Sequence, residues 1–382
     1  MAGGALDGLR VLDISTLFAA PQIATALGDL GGDVVKVEPP QGDPLRAMGA
    51  QRDGRSLMWA LAARNKRSIT LDLDDEAGRD LLHRLVERAG VLVENFPRST
   101  LERWHCTYDE LAARNPRLVM VSVSCYGATG PYRDRPGAGT LAEAFGGLTH
   151  MIGEADGPPM LPSIALGDTV TAMAGVIGTL AACYHRDAGG GGGQHVDVSM
   201  YEPILQLLAG TIVAYDPNGE TPRRTGSRVP GGVPRNVYRT RDGHWLVVSG
   251  TTDAQVARLL PLIGRDTRED RSRFGRSAAR LAAADELDGL VADWIAARDR
   301  SDVLEALLGA RIPAAPVNDL ADILDDPHVS ERSSLVRVHD DDLGSLTMPA
   351  PTPRLGATPA RVRATGPQLG AHNDEVVREW LA

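Results

Sequence analysis

GLRVLDISTLFAAPQIATALGDLGGDVVKVEPP, residues 8–40, sets the frame for the whole chain. A short β-branched run at 11–14 is followed by a helical stretch at 19–30 and a second run at 34–38. Further runs stand at 69–73, 91–94 and 118–124, divided by helical stretches such as 76–88. Apolar strands separated by amphipathic helices are the mark of βαβ units, in which helices cover both faces of a parallel sheet. The expectation is an α/β fold with a Rossmann-like large domain. The loop after the first strand reads Leu17, Phe18, Ala19, Ala20, Pro21 where a dinucleotide fingerprint would read G-x-G-x-x-G, and no Walker A lysine motif occurs. An NAD site and a P-loop are therefore unsupported.

With 382 residues the chain has room for two domains. It is 43% hydrophobic and 24% charged, as ordinary globular proteins are. A net charge of -10 works against nucleic-acid binding, which needs Lys and Arg to neutralise phosphates, so any anionic ligand must be held by local cations. No continuous apolar run reaches membrane-spanning length, and the N-terminus lacks the blocks of a signal peptide, which leads to the expectation of a cytoplasmic protein with no membrane partner. Cys106, Cys125 and Cys183 are widely spaced and form no disulfide or zinc pattern.

Residues 169–183 are small or apolar, as suits a buried helix. Gly189 to Gly193 then read as a mobile connector to a strand at 195–200. TPRRTGSRVPGGVPRN, residues 221–236, is loop material at a domain boundary. Beyond it, 236–240 and 245–249 flank an Asp-Gly turn and read as a hairpin, with helices at 256–263 and 286–298. A proline-rich stretch at 325–367 reads as extended. The expected division is a large domain at 1–220, a smaller α+β domain at 221–325, and an extended linker at 326–382 that returns to the large domain.

Leu166, Gly167 and Asp168 stand immediately before the small-residue helix. Asp168 there is either an N-cap accepting backbone N–H bonds or a nucleophile steadied by those same groups. The two readings overlap physically.

Asp168 does not stand alone. GLRVLDIS is followed by LGDLGGDVVKVEPPQGDP (27–44), NKRSITLDL (65–73), GVLVENF (90–96) and YGATGPYRDRP (126–136). ALGD (165–168), GGQHVDVSMYEP (192–203), ARIPAAPV (310–317) and PQLGAH (367–372) continue the series. Taken in order, these blocks resemble the family III CoA-transferases, also called the CaiB/BaiF family.

That resemblance implies an interlocked homodimer, each subunit having a large Rossmann-like domain and a smaller one. It implies an acyl-CoA:carboxylate CoA-transferase, with a CoA thioester as substrate, no tightly bound cofactor and no metal. Asp168 is implied as the attacking carboxylate, forming a mixed anhydride and then an aspartyl-CoA thioester. For CoA, the family pattern falls on Phe18, Ala19, Leu71, Asn95, Phe96 and Arg103. On residue type alone the phenylalanines read as core, Asn95 as a turn residue after a strand, and Arg103 as a surface charge able to pair with phosphate. Lys66 and Arg67 would add positive potential without contact. Gly231 and Gly232 read either as a linker or as the glycine lid of some relatives.

The sequence departs from the pattern at Ala138 and Gly139, where many relatives have an aromatic and an acidic residue. This departure is expected to enlarge the acyl pocket. Ala20 in place of glycine is a milder change. The related α-methylacyl-CoA racemases use a His-Asp acid–base pair that would fall at Ala138 and Gly139, neither of which transfers a proton. A CoA-binding homologue without catalysis is the other alternative.

Overall fold

A computed structural model describes residues 3–229 and 231–382. Six parallel strands form the principal sheet: β1 (Arg10–Asp13), β2 (Asp33–Glu38), β3 (Lys66–Thr70), β4 (Val91–Glu94), β5 (Val119–Ser124) and β6 (His195–Ser199). Their order is β3-β2-β1-β4-β5-β6, the arrangement of a doubly wound dinucleotide-type fold. Alternate residues face opposite layers. Leu12, Val35, Ile69, Leu92 and Met120 enter one apolar core, while Val11, Val34, Val91, Val119 and Val121 enter the other.

Three helices matter for the site: α1 (Ala19–Asp29), α4 (Gly139–Phe145) and α5 (Leu166–Ala188). Between them lie α2 (Glu76–Val86) and α3 (Arg98–Arg103). Helix α5 packs on α1, and glycine permits the approach, since a Cβ at Gly175 would stand 2.3 Å from Ile23 Cδ1. An 18-residue window of this 23-residue helix reaches a mean hydropathy of 1.4, and it is the one helix among the described residues long and apolar enough to cross a membrane by length and composition. It contains no continuous apolar run, because Gly, Thr and Ala interrupt its large apolar residues.

Most strands fall where the sequence places them, but β3 begins at Lys66 rather than at residue 69. Its charged first residues are what misled the reading. Lys66 is buried, donating to Asp13 Oδ2 at 2.8 Å and to the Pro21 carbonyl at 2.7 Å. The glycine run is also more tightly held than a mobile connector. Gly193 N–H donates to the Pro116 carbonyl at 2.8 Å, and a Cβ at 193 would stand 2.0 Å from the Leu118 oxygen.

Two compact units are present. The first takes in residues up to Thr149, Leu161–Glu220 and Ser330–Ala382, and the second His150–Met160 with Thr221–Val329. Residues 150–160 thus belong with the second unit, where the Arg224 guanidinium donates to the Gly157 carbonyl at 2.8 Å and Gly226 N–H to the Gly153 carbonyl at 3.1 Å. Its sheet joins β7 (Arg235–Arg239), β8 (Trp245–Ser249) and β9 (Ala314–Pro316), all antiparallel, over a core of Leu246, Val248, Leu259, Val291 and Ile295.

The stretch expected as an extended linker over 326–382 is more ordered than that. It carries a hairpin, β10 (Leu335–Asp340) and β11 (Gly344–Pro349), and ends in the helix Asn373–Leu381. Alternation of apolar residues explains the hairpin, because Val338 and Met348 are buried against Ala60. Only the residues between are extended, fixed by Trp59 Nε1 donating to the Pro367 carbonyl at 2.9 Å and by Asn65 Nδ2 donating to the Arg361 carbonyl at 2.8 Å.

Candidate active site

Strand order reverses between β1 and β4, and open α/β sheets bind ligands at the carboxyl ends of the strands flanking such a reversal. The loop leaving β1 is pinned there. Asn95, just after β4, accepts from Thr16 N–H at 2.8 Å and donates to the Thr16 carbonyl at 2.9 Å. Leu17 has φ +67°, a left-handed conformation that a leucine adopts only when its surroundings impose it. Its N–H donates to Asp43 Oδ1 at 3.3 Å.

Beneath this loop lies a buried ionic cluster. Asp13 pairs with Lys66 at 2.8 Å and Lys36 at 3.7 Å, Lys36 pairs with Asp43 at 3.2 Å, and Lys36 also donates to the Ser15 carbonyl. Burial alone would raise the Asp13 carboxyl, but the two ammonium groups overcome it and hold it below the usual range. Lys66 is thus spent inside the protein. Arg67 is likewise engaged, by Asp33, Glu375 and Glu379, so neither adds free positive potential.

The residues expected to contact CoA fall as follows. Phe18 holds the N-cap position of α1 without a side-chain bond and packs against the cluster that contains Trp59, and Ala19 opens the helix. Leu71 follows β3 and is buried. Phe96 follows Asn95; its N–H donates to Glu94 Oε2 at 2.7 Å and its ring meets Trp104 edge-on at 4.8 Å. Burial pushes the Glu94 carboxyl up to about 7, with like charge from Asp197 adding to it against bonds from Ser122 and Phe96. Arg103 ends α3 and pairs with Asp74 at 3.2 Å, both side chains exposed. Gly231 and Gly232 lie in the second unit, Gly231 in a turn with φ +88°.

Helix α5 crosses from the β5 side to the start of β6, so its N-terminus also stands at the carboxyl edge of the sheet. Asp168 is its third residue, inside the first turn, rather than the N-cap; that position is Ala165, which offers no side-chain bond. The missing cap comes from another helix, as buried Glu143 of α4 accepts from Gly167 N–H at 2.7 Å. The Asp168 carboxylate itself meets only its own N–H among the bonds that shift it.

The Asp168 carboxylate lies against Gly139, where a Cβ would stand 2.2 Å from Oδ2. Ala138 precedes it, exposed, with its carbonyl accepting from the Cys125 thiol at 3.8 Å. The absence of a side chain at 139 therefore does not enlarge an acyl pocket in this conformation. Asp168 itself fills that space. Burial raises its carboxyl above the ordinary value, and the Glu143 charge raises it further against the lowering effect of its own N–H.

The structure thus gathers Phe18, Ala19, Leu71, Asn95, Phe96 and the first turn of α5 at one edge of one sheet, with Ala138 and Gly139 beside Asp168. Sequence reasoning missed Glu143, Asp43 and Glu94. For Glu143 the signal was there: a lone acid among small and apolar residues in LAEAFGG, residues 141–147.

Comparison with known proteins agrees across the chain. The family model for CoA-transferase family III matches residues 6–373. The chain is 41% identical to the succinyl-CoA–L-malate CoA-transferase beta subunit of Chloroflexus aurantiacus, over 98% of this chain and 94% of that one. Succinyl-CoA–D-citramalate CoA-transferase of the same organism is 40% identical with the same coverage. The crystal structure of a CaiB/BaiF family protein from Brucella suis superposes with a TM-score of 0.87 at 30% identity, covering 99% of this chain and 100% of that one. The chain belongs to the family III CoA-transferases.

Proposed function

We propose that the protein moves CoA from an acyl-CoA thioester to a carboxylic acid through covalent intermediates on Asp168. The observation that carries this reading is a half-buried carboxylate in the first turn of a long helix, inside the N-cap position, at the ligand-binding edge of the sheet. An Asp168 oxygen attacks the thioester carbonyl, the C–S bond breaks and CoA leaves as thiolate, giving a mixed anhydride. The thiolate attacks the aspartyl carbonyl and expels the donor acid, leaving aspartyl-CoA. An acceptor carboxylate then attacks that thioester, and the released thiolate takes the acceptor's acyl group, regenerating Asp168. No proton is consumed in the cycle.

Phe18, Ala19, Leu71, Asn95 and Phe96 are assigned to CoA, with Arg103 on a phosphate. Its exposed pair with Asp74 is easily exchanged, because water and salt screen surface ion pairs. The relatives' names make succinyl-CoA the donor to try first, with small dicarboxylates as acceptors. The test is CoA transfer between them by Asp168→Ala. Transfer should be abolished while acyl-CoA binding, measured by calorimetry, persists; transfer at the parent rate would refute the assignment.

We further propose an interlocked homodimer. On α5, Met173, Ile177 and Tyr184 form an exposed stripe at helical spacing, and Leu141, Phe145, Leu207 and Val213 are also exposed. So much apolar surface marks an association face. Sedimentation at micromolar concentration should give twice the chain mass, and a monomer would refute it.

A further inference from the structure

We propose that Glu143 is the positioning residue of the nucleophile, fixing the first turn of α5 so that Asp168 presents its carboxylate in one orientation. The inference rests on the reading of Asp168 as the nucleophile and adds to it a second residue, on a different helix.

Any helix opens with orphan N–H groups. A serine or aspartate at 165 would satisfy them locally, yet the chain has Ala165 there. It uses instead a carboxylate 2% exposed, and burying a charged group is favourable only where it is well bonded. What this arrangement gains over a local cap is a link between two helices. Gly139 and Glu143 are four residues apart and share one face of α4. Gly139 carries the Asp168 carboxylate against its bare Cα, and Glu143 holds the N–H of the adjacent residue, Gly167. Gly167 must also lack a side chain, since a Cβ there would stand 2.8 Å from the Gly139 oxygen and 3.1 Å from Glu143 Oε1. One face of α4 therefore grips two successive residues of α5, and a rotation of that turn would move Asp168.

A positioning role separates kcat from KM. Glu143→Ala should lower kcat at least about tenfold while KM for acyl-CoA stays within about twofold, and Glu143→Gln, which keeps an acceptor for Gly167, should recover most of the loss. Ala165→Ser in the Glu143→Ala background supplies a local cap and tests whether only helix stability matters. The double variant should regain thermal stability with kcat still low. If it regains kcat, or if Glu143→Gln loses as much as Glu143→Ala, the proposal is wrong. Asp168→Ala, run alongside, separates the two failures: full activity there refutes the nucleophile assignment, whereas an inactive Asp168→Ala beside a fully active Glu143→Ala refutes only the positioning role.

Discussion

Asp168 and Gly139 occupy mutually exclusive space: the carboxylate of one lies where any side chain on the other would begin, 2.2 Å from Oδ2. Gly139→Ala should therefore displace Asp168. Displacements of this size cost about a hundredfold in reactions that depend on attack geometry. We expect kcat to fall by about ten- to a hundredfold with KM for acyl-CoA little changed. Steady-state kinetics of the variant checks this.

The pH dependence of the reaction should report the surroundings of Asp168. Burial and the Glu143 charge raise its carboxyl, and only the ionised form attacks, so activity is lost as pH falls through the raised value. The acid limb of kcat/KM is expected above 3.8, the ordinary value for aspartate. A limb at or below it would contradict the described environment.

Glu94 makes a separate prediction about stability. Burial pushes it up to about 7, against 4.5 for an ordinary glutamate. Between those values the folded protein holds a proton that the unfolded chain has released, so this group's contribution to stability is present at low pH and lost as pH rises through that window. Glu94→Gln removes the dependence. Urea midpoints at about pH 5 and about pH 8 should shift in favour of the variant as pH rises. An unchanged difference would contradict the buried, protonated state.

Lys66→Met strips Asp13 of its closer ammonium partner and leaves Lys36 at 3.7 Å. Removing one member of a buried pair typically costs about 3–5 kcal/mol, and the remaining lysine places the expected loss near about 3 kcal/mol. Replacing both, as Lys66→Met with Asp13→Leu, should restore part of it. Denaturant unfolding of the three proteins decides.

The fold was legible where residue chemistry and position agreed. The runs in residues 8–40 gave β1, α1 and β2 because their apolar residues face the two cores. Where charge stood inside a strand the reading failed, as at Lys66, whose burial depends on Asp13, 53 positions away in sequence. The hairpin near residue 340 was hidden by surrounding prolines. At the site, Asp168 was found through its motif, but its place inside the first turn was not, because the cap is Glu143, 24 residues before Gly167 and on another helix. Long-range pairing of this kind leaves only a faint mark in sequence: one acid in an apolar helix, one glycine where bulk is expected.

The most direct test of the central claim is the chemical state of Asp168 during turnover. The protein is incubated with succinyl-CoA, reduced with borohydride, digested and analysed by mass spectrometry, with Asp168→Ala as control. A covalent aspartyl intermediate predicts reduction of the Asp168 side chain to the alcohol, dependent on the thioester and absent from the control. An unmodified Asp168 peptide from protein that is visibly transferring CoA would contradict it.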